Sequence, residues 1–438
     1  MIIQRNKLLN ELIERRDNGM VKVITGLRRC GKTYLVKNLY TDWLVKNGIA
    51  SENIIYLALD RNENAKYRNP LYLDEFIREK VSRCSGRCYV IIDEIQYSVK
   101  IPNEYLPESE RTDENAITFY DTVLGHMDDC DLYVTGSNSK MLSSDIMTNF
   151  RGRGDEVRVH PLSFSEYYNA VAGRKEDAFR QYLYYGGMPM ILSIASDKQK
   201  SRYLKDLFAK TYIADIVERN EIKNETDLGA VLDFIASSTG SLINPTNIAN
   251  RFASQKISSM ARNTVADYIA YTENAFLITE VKRFDIRGKE YIEGQKKYYF
   301  EDTGLRNARL NFRQFDLPHL LENAVYNELA ARGFSVDVGR VGIRQKNEAG
   351  KYERVYLESD FVVNDMDNRV YIQVTEGIDD AGKKDQEMKS LMHIRDGFPK
   401  MVLVNQNVPE YRTENGIIIK SVIDFLLEGN KNKDVKLH

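Results

Sequence analysis

The residues Gly26-Leu27-Arg28-Arg29-Cys30-Gly31-Lys32-Thr33, followed by Tyr34, set two glycines around four intervening positions and end on a lysine and a hydroxyl. That is the full spacing of a phosphate-binding loop, G-x-x-x-x-G-K-[ST]. Glycine permits backbone angles that turn successive N–H groups inward, which makes a concave nest for phosphate oxygens. In such a loop the lysine reaches the β- and γ-phosphates and the threonine hydroxyl holds Mg²⁺. The apolar stretch Val21-Lys22-Val23-Ile24 precedes the run, and a helix pattern carrying Leu35, Leu39 and Trp43 follows it. Phosphates would meet the N-terminus of that helix, where the backbone dipole favours anions. Binding of a nucleoside triphosphate with Mg²⁺ is the chemistry this spacing predicts.

Cys88-Tyr89-Val90-Ile91-Ile92-Asp93-Glu94 is a buried-strand pattern ending in two carboxylates, sixty residues past Thr33. Asp93 would act on the Mg²⁺ shell and Glu94 would polarise an attacking water, so the pair points to hydrolysis rather than binding alone. A third strand pattern, Leu132-Tyr133-Val134-Thr135, runs into Gly136-Ser137-Asn138. Either Ser137 or Asn138 could hydrogen-bond the γ-phosphate or the water, and a plain turn is the alternative. Arg151-Gly152-Arg153-Gly154 then offers a guanidinium that could stabilise transition-state charge on a neighbouring subunit, with Arg153 ahead of Arg151. Ordinary helix capping explains the same residues equally well.

The elements that must hold these groups alternate. Val21–Thr25, Ile54–Leu59, Tyr89–Ile92, Leu132–Thr135 and Val157–His160 are short apolar runs with helix-like segments between them, such as Asn115 to Met127. Continuous apolar runs suit strands buried on both faces, so a parallel sheet covered by helices is expected. A length of 438 residues predicts two to three domains. The net charge of -2 gives no global electrostatic case for nucleic acid. Four scattered cysteines fit a reducing, cytoplasmic setting, with Cys84 and Cys88 read as small buried hydrophobes rather than a zinc pair. The N-terminus reads as an amphipathic helix rather than a signal peptide, and no apolar stretch is long enough to span a membrane.

Beyond residue 170 the pattern changes. Phe179 to Arg219 is helical, broken by Tyr185-Gly-Gly-Met-Pro189. Leu228–Ser237, Asn244–Phe252 and Arg262–Glu273 read as three helices, and Phe276–Phe284 and Tyr291–Phe300 flank an Arg287-Gly288-Lys289 tip. Three helices and a hairpin in that order suggest a winged helix, with Arg262 opening the recognition helix and Lys282, Arg283, Arg287 and Lys289 marking the wing. Residues 250–300 carry only three more Lys/Arg than Asp/Glu, so a lid or protein-contact module is an alternative to DNA binding.

The phosphate loop, IIDEIQ, VTGSNSKML, FRGRG, HPLSFSEY and YLYYGGMP together resemble the AAA-type P-loop ATPases of bacteria and archaea that carry a C-terminal domain of unknown function. The resemblance runs through the chain and implies an α/β multidomain protein. It would comprise a five-stranded ATPase core (1–170), a helical and winged-helix region (171–305) and a restriction-endonuclease-like domain (306–438). It also implies adenine as the base. One departure is the acidic insertion between Ser98 and Ala116.

The last third reads as helix (Leu321–Leu329), three strands, helix and strand, the order of restriction-endonuclease-like folds. Those enzymes gather Mg²⁺ with a helix Glu, a strand Asp and a Glu/Gln-x-Lys. Glu322, Asp360 and Gln373 match, but the lysine place is Thr375, and a neutral hydroxyl cannot stabilise the attacking hydroxide as an ammonium does. The nuclease site is therefore read as degenerate. The combined expectation is an oligomeric, Mg²⁺-dependent ATPase that remodels or moves on double-stranded DNA or another nucleic acid. The competing expectation is an ATP-held scaffold switch that recruits a protein.

Overall fold

A computed structural model describes residues 3–137, 150–171, 173–346 and 350–430. The chain divides into two compact units, 2–160 with 274–276, and 161–273 with 277–438. The first unit is built on five parallel strands, β1 (Val21–Thr25), β2 (Ile54–Ala58), β3 (Cys88–Asp93), β4 (Cys130–Thr135) and β5 (Gly154–Arg158), in the order β2-β3-β4-β1-β5. Strands β1, β3 and β4 are buried throughout, as their apolar runs require. Their side chains pack with Leu73, Ile77, Phe119 and Val123 from flanking helices.

Strand β5 begins three residues earlier than the Val157–His160 run suggests, because Gly154 and Asp155 pair with Val21 and Lys22 of β1. Lys22 is fully buried in the central strand. Its ammonium pairs with Asp131 on β4, and the Tyr133 hydroxyl donates to the same carboxylate at 2.6 Å.

Cys84 and Cys88 are not separate small hydrophobes: they are joined by a disulfide across the turn that leads into β3. The Ser85-Gly86-Arg87 turn brings their Cα atoms to 6.3 Å, within bridging range.

The second unit contains the helices Glu225–Ser237, Pro245–Ser254 and Arg262–Asn274, then β6 (Ile278–Asp285) and β7 (Glu290–Phe300). An isolated antiparallel bridge ties Ile243, between the first two helices, to Lys296 on β7. The helix Leu317–Ala331 follows, then β8 (Ser335–Lys346), β9 (Tyr352–Asp365), β10 (Asn368–Thr375), the helix Ala381–Met392, β11 (Lys400–Val404), β12 (Tyr411–Arg412) and β13 (Ile418–Ser421). Strands β8, β9 and β10 form an antiparallel meander, and β11 joins β10 in parallel.

The hairpin β6–β7 belongs to this same eight-stranded sheet, ordered β12-β13-β11-β10-β9-β8-β6-β7. Arg283, Phe284 and Asp285 of β6 lie beside Val338, Gly339 and Arg340 of β8. The boundary expected at 305/306 thus falls inside one unit, because a hairpin hydrogen-bonded into the sheet cannot part from it without breaking a ladder. The boundary expected at 170 lies ten residues inside the same unit.

Candidate functional site

The phosphate loop leaves the C-terminal end of β1 and enters the helical stretch that starts at Lys32–Tyr34. Gly26 has φ 131°, and a Cβ there would stand 2.1 Å from the Val159 carbonyl oxygen, so only glycine fits. Gly31 has φ 109° and Arg29 φ 65°, both on the positive-φ side that the ordinary helical region excludes, as a loop needs to aim its N–H groups inward. Buried Arg5 steadies the loop by donating to the Cys30 carbonyl at 3.1 Å and the His160 carbonyl at 2.9 Å. Leu27 and Cys30 face the core, whereas Arg28, Arg29, Thr33 and Tyr34 are wholly or partly exposed.

Lys32 is buried and donates to the carbonyls of Gly26 at 2.9 Å and Leu27 at 3.1 Å. Those two oxygens stand in for the phosphate oxygens that such a lysine serves. Thr33 Oγ1 donates to Asp93 Oδ2 at 2.9 Å, so the two groups expected to share Mg²⁺ already face each other. Asp93 also accepts from the Tyr56 hydroxyl at 2.7 Å and from Thr135. Burial, with Asp93 beside it, pushes the Tyr56 hydroxyl above its ordinary range, so it remains a donor.

Glu94 follows in a left-handed conformation, φ 59°, which its backbone N–H maintains by donating to Thr135 Oγ1 at 3.1 Å. A non-glycine residue held there at a strand end is strain placed next to chemistry. Burial raises the Glu94 carboxyl above the usual glutamate range, partly offset by the charge of Lys32 and by a hydrogen bond from Gln96. Gln96 Nε2 donates to Glu94 and, at 3.2 Å, to Ser137 Oγ. Ser137 is thereby tied to the carboxylate, and Asn138 lies outside the described residues. Tyr56, Gln96, Thr135 and Arg5 were not among the residues expected from sequence. Only their neighbours in the sheet reveal them.

Arg153 immediately precedes β5, and its carbonyl accepts from Val21 N at 2.8 Å, at the start of β1. The loop leaves the other end of β1, about 16 Å away for five residues of strand. The Arg153 side chain is exposed there. Arg151 has φ 51° and lies 3.4 Å from Asp121.

In the second unit Glu322, Asp360 and Gln373 come together, with additions. Glu322 projects from the helix Leu317–Ala331, and Asp360 stands on β9 opposite Gln373 on β10. Asp360 Oδ2 accepts from Val374 N at 2.8 Å, and Gln373 Oε1 from Asp360 N at 3.4 Å. Thr375 Oγ1 turns to the Gly377 carbonyl at 3.4 Å. Thr375 leaves the lysine place of the motif without an ammonium, and on β7 the buried Lys297 Nζ lies 2.7 Å from Glu322 and 2.8 Å from Glu358. Burial, reinforced by Glu322, pushes the Asp360 carboxyl well above its usual range. Lys297, Glu358 and Tyr299, which donates to Glu322, were not expected from sequence. Among the described residues no group of three or more His, Cys, Asp or Glu is arranged to hold a metal ion.

Of the expected wing residues, Arg287 is exposed at the hairpin tip, where Asp285 Oδ1 accepts from the backbone of Arg287 and Gly288. Lys282 and Lys289 are also exposed, as is Arg262 at the start of its helix. Arg283 is not at the tip. It is half-buried on β6 between two neighbouring strands, and its Nε has no hydrogen-bond partner.

Among the described residues no helix is long and apolar enough to cross a membrane. Residues 18–168 match the family model of an AAA domain, and residues 176–316 match a domain of unknown function. An uncharacterized protein of Haemophilus influenzae is 32% identical over 433 residues, covering 98% of this chain and 99% of that one. An uncharacterized protein of Methanocaldococcus jannaschii is 25% identical over 410 residues, covering 89% and 82%. Among solved structures, the Walker-type ATPase PABY2304 of Pyrococcus abyssi aligns with a TM-score of 0.46 at 14% identity, over 70% of this chain and 96% of that one. The chain belongs to one family with the Haemophilus influenzae protein along its whole length, and its AAA domain makes it an ATP hydrolase.

Proposed function

We propose that the chain is a cytoplasmic, Mg²⁺-dependent ATPase that works as a homo-oligomer to remodel or move on DNA. The observation that carries the hydrolytic part is the Thr33–Asp93 pair with Glu94 directly beyond it. The loop's positive-φ glycines, the buried ammonium of Lys32 and this hydroxyl–carboxylate pair fit a bound nucleotide and its metal. Mg²⁺, held by Thr33 and Asp93, would supply charge neutralisation at the phosphates. Lys32 would exchange the Gly26 and Leu27 carbonyls for phosphate oxygens. Glu94 would accept the proton of the attacking water, oriented by Gln96 and Ser137.

Arg153, at the far end of β1 from its own loop, suits action on a neighbouring subunit's nucleotide, which is what supports the oligomer. The helix–helix–helix–hairpin order with the Ile243–Lys296 bridge supports a winged helix. The αβββαβ order supports a restriction-endonuclease-like last domain. Thr375 at the lysine place, with Lys297 ion-paired to Glu322 and Glu358, supports a site without nuclease activity. The deciding experiment is ATP turnover with and without DNA at low salt. Severalfold stimulation is expected, and turnover indifferent to any nucleic acid would reject the DNA-directed reading.

The second reading, a switch that recruits a protein while ATP is bound, draws on Gln96. Its hold on Glu94 would let the nucleotide persist until a partner releases the carboxylate.

A further inference from the structure

The β8–β9 ribbon carries one face that the sheet's core does not use. In its antiparallel register Gly342 stands opposite Tyr356, Arg344 opposite Arg354, and Lys346 opposite Tyr352. Alternation along a strand sends all six to one face. The other face supplies Ile343, Val355 and Leu357 to the core cluster around Met388, Leu391 and Ile394.

Two arginines directly opposite each other repel, which costs stability unless an anion lies between them. Neither Arg344 nor Arg354 has a carboxylate partner among the described residues, and both are exposed. Arg287 from the hairpin tip, and His393 and Arg395 beyond the helix Ala381–Met392, join them around a cavity of about 480 Å³. Five basic side chains and no acidic one line it.

Tyrosines alternate with these cations. Tyr352 is 71% exposed and Tyr356 45%. The Lys346 ammonium lies 5.4 Å from the Tyr352 ring centre, and the Arg354 guanidinium lies 5.1 Å from that of Tyr356. The Arg340 guanidinium also lies 4.3 Å from the Tyr356 ring centre, so Tyr352 is the more open of the two rings. Exposed rings flanked by cations are what stacked bases and a phosphate backbone require together, and the bases must be unpaired to reach the rings. Gly342 leaves room for this arrangement, since a Cβ there would come within 3.1 Å of Arg354.

We propose that this face binds single-stranded nucleic acid, with Arg287, Arg344, Arg354 and Arg395 on phosphates and Tyr352 and Tyr356 under bases. The proposal rests on the nucleic-acid reading above and moves its contact from the start of the helix Arg262–Asn274 to the sheet.

The test uses fluorescence anisotropy of a labelled oligothymidylate with the full-length protein over a series of salt concentrations. Removing two phosphate contacts in Arg344→Gln/Arg354→Gln should weaken binding about tenfold or more. It should also lower the slope of log affinity against log salt by about 1.4, at roughly 0.7 per single-strand contact. Tyr352→Ala/Tyr356→Ala should cost between about fivefold and a hundredfold per stacked base and leave the slope unchanged. Circular dichroism and melting of both variants check that they fold.

Wild-type affinity in the arginine variant would remove the ribbon as the site and leave the nucleic-acid reading standing. No binding of any nucleic acid by the parent at low salt would sink both. Duplex binding as tight as single-strand binding and insensitive to the tyrosines would overturn the single-strand assignment. So would preference for polyglutamate over oligothymidylate.

Discussion

Replacing Glu94 with glutamine isolates one atom's function from its setting. The amide has the carboxylate's shape, keeps the backbone N–H bond to Thr135 at 3.1 Å, and leaves the Thr33–Asp93 pair and Lys32 untouched. ATP affinity should therefore stay within about threefold of the parent. What is lost is the proton acceptor, and a positioned general base contributes on the order of 10²–10⁴ in rate. That range corresponds to about 3–5.5 kcal/mol of barrier at roughly 1.4 kcal/mol per decade. Burial raises the Glu94 carboxyl above the usual glutamate range, and its protonated form cannot accept the proton. The parent's turnover should consequently fall with decreasing pH at a point above that range, and Glu94→Gln should lack this acid limb. Gln96→Leu removes the hydrogen bond that favours the charged carboxylate, so the limb should move to higher pH. Phosphate release under saturating ATP from about pH 5 to 9, with a fluorescent nucleotide for affinity, measures all three. Parental turnover in Glu94→Gln would refute the assignment of the base.

Lys32→Ala deletes the buried ammonium of the loop and should weaken nucleotide binding by roughly ten- to a hundredfold, the worth of a charge-assisted contact, in equilibrium titration. Arg153→Ala should bind ATP normally yet hydrolyse it about 10³-fold or more slowly. Mixing it with Glu94→Gln should restore part of the activity, and a protein that stays monomeric with ATP and hydrolyses briskly would exclude action in trans. Asp131→Ala strands the Lys22 charge in the central strands and should destabilise the first unit by about 3–5 kcal/mol, read as a lower urea midpoint. Asp360→Ala should change nothing in a Mg²⁺-dependent DNA-cleavage assay, because the parent itself should leave DNA uncut; cleavage that depends on Asp360 would reverse that.

The loop was legible because its chemistry is local: every group that a phosphate nest needs lies between Gly26 and Thr33, so spacing alone carries it. Asp93 and Glu94 were legible for a related reason, since the strand end that presents them is itself an apolar run. Tyr56 and Thr135 were not, because they meet Asp93 only through the pairing of β2 and β4 on either side of β3, and an apolar run does not itself say which run lies beside it. Lys22 was hidden by its surroundings. A lysine inside an apolar run usually reaches solvent, and Asp131 on the neighbouring strand, with the Met20 carbonyl, lets this one stay buried. Gln96 sits in a short turn with no periodicity to mark it. The Cys84–Cys88 disulfide depends on how the intervening turn closes, which spacing does not determine.

In the last third of the chain the groups around the carboxylates are only partly local. Glu322, Asp360 and Gln373 are positioned by the elements that the sequence predicts, so they were found. Thr375 at the lysine place is equally local. Lys297, which pairs with Glu322 and Glu358, lies on a hairpin that reads as part of a different module because its tip is basic and its neighbours are helices. Once β6 pairs with β8, the hairpin and the carboxylates share a sheet, and a residue sixty-three positions before Asp360 can reach Glu322 and Glu358. The same pairing places the Arg287 tip beside Arg344 and Arg354, so the ion pairs of Lys297 and the basic face both depend on a strand pairing that no single segment shows. Motifs confined to one segment can be read from that segment alone; sites assembled from strands far apart in the chain cannot.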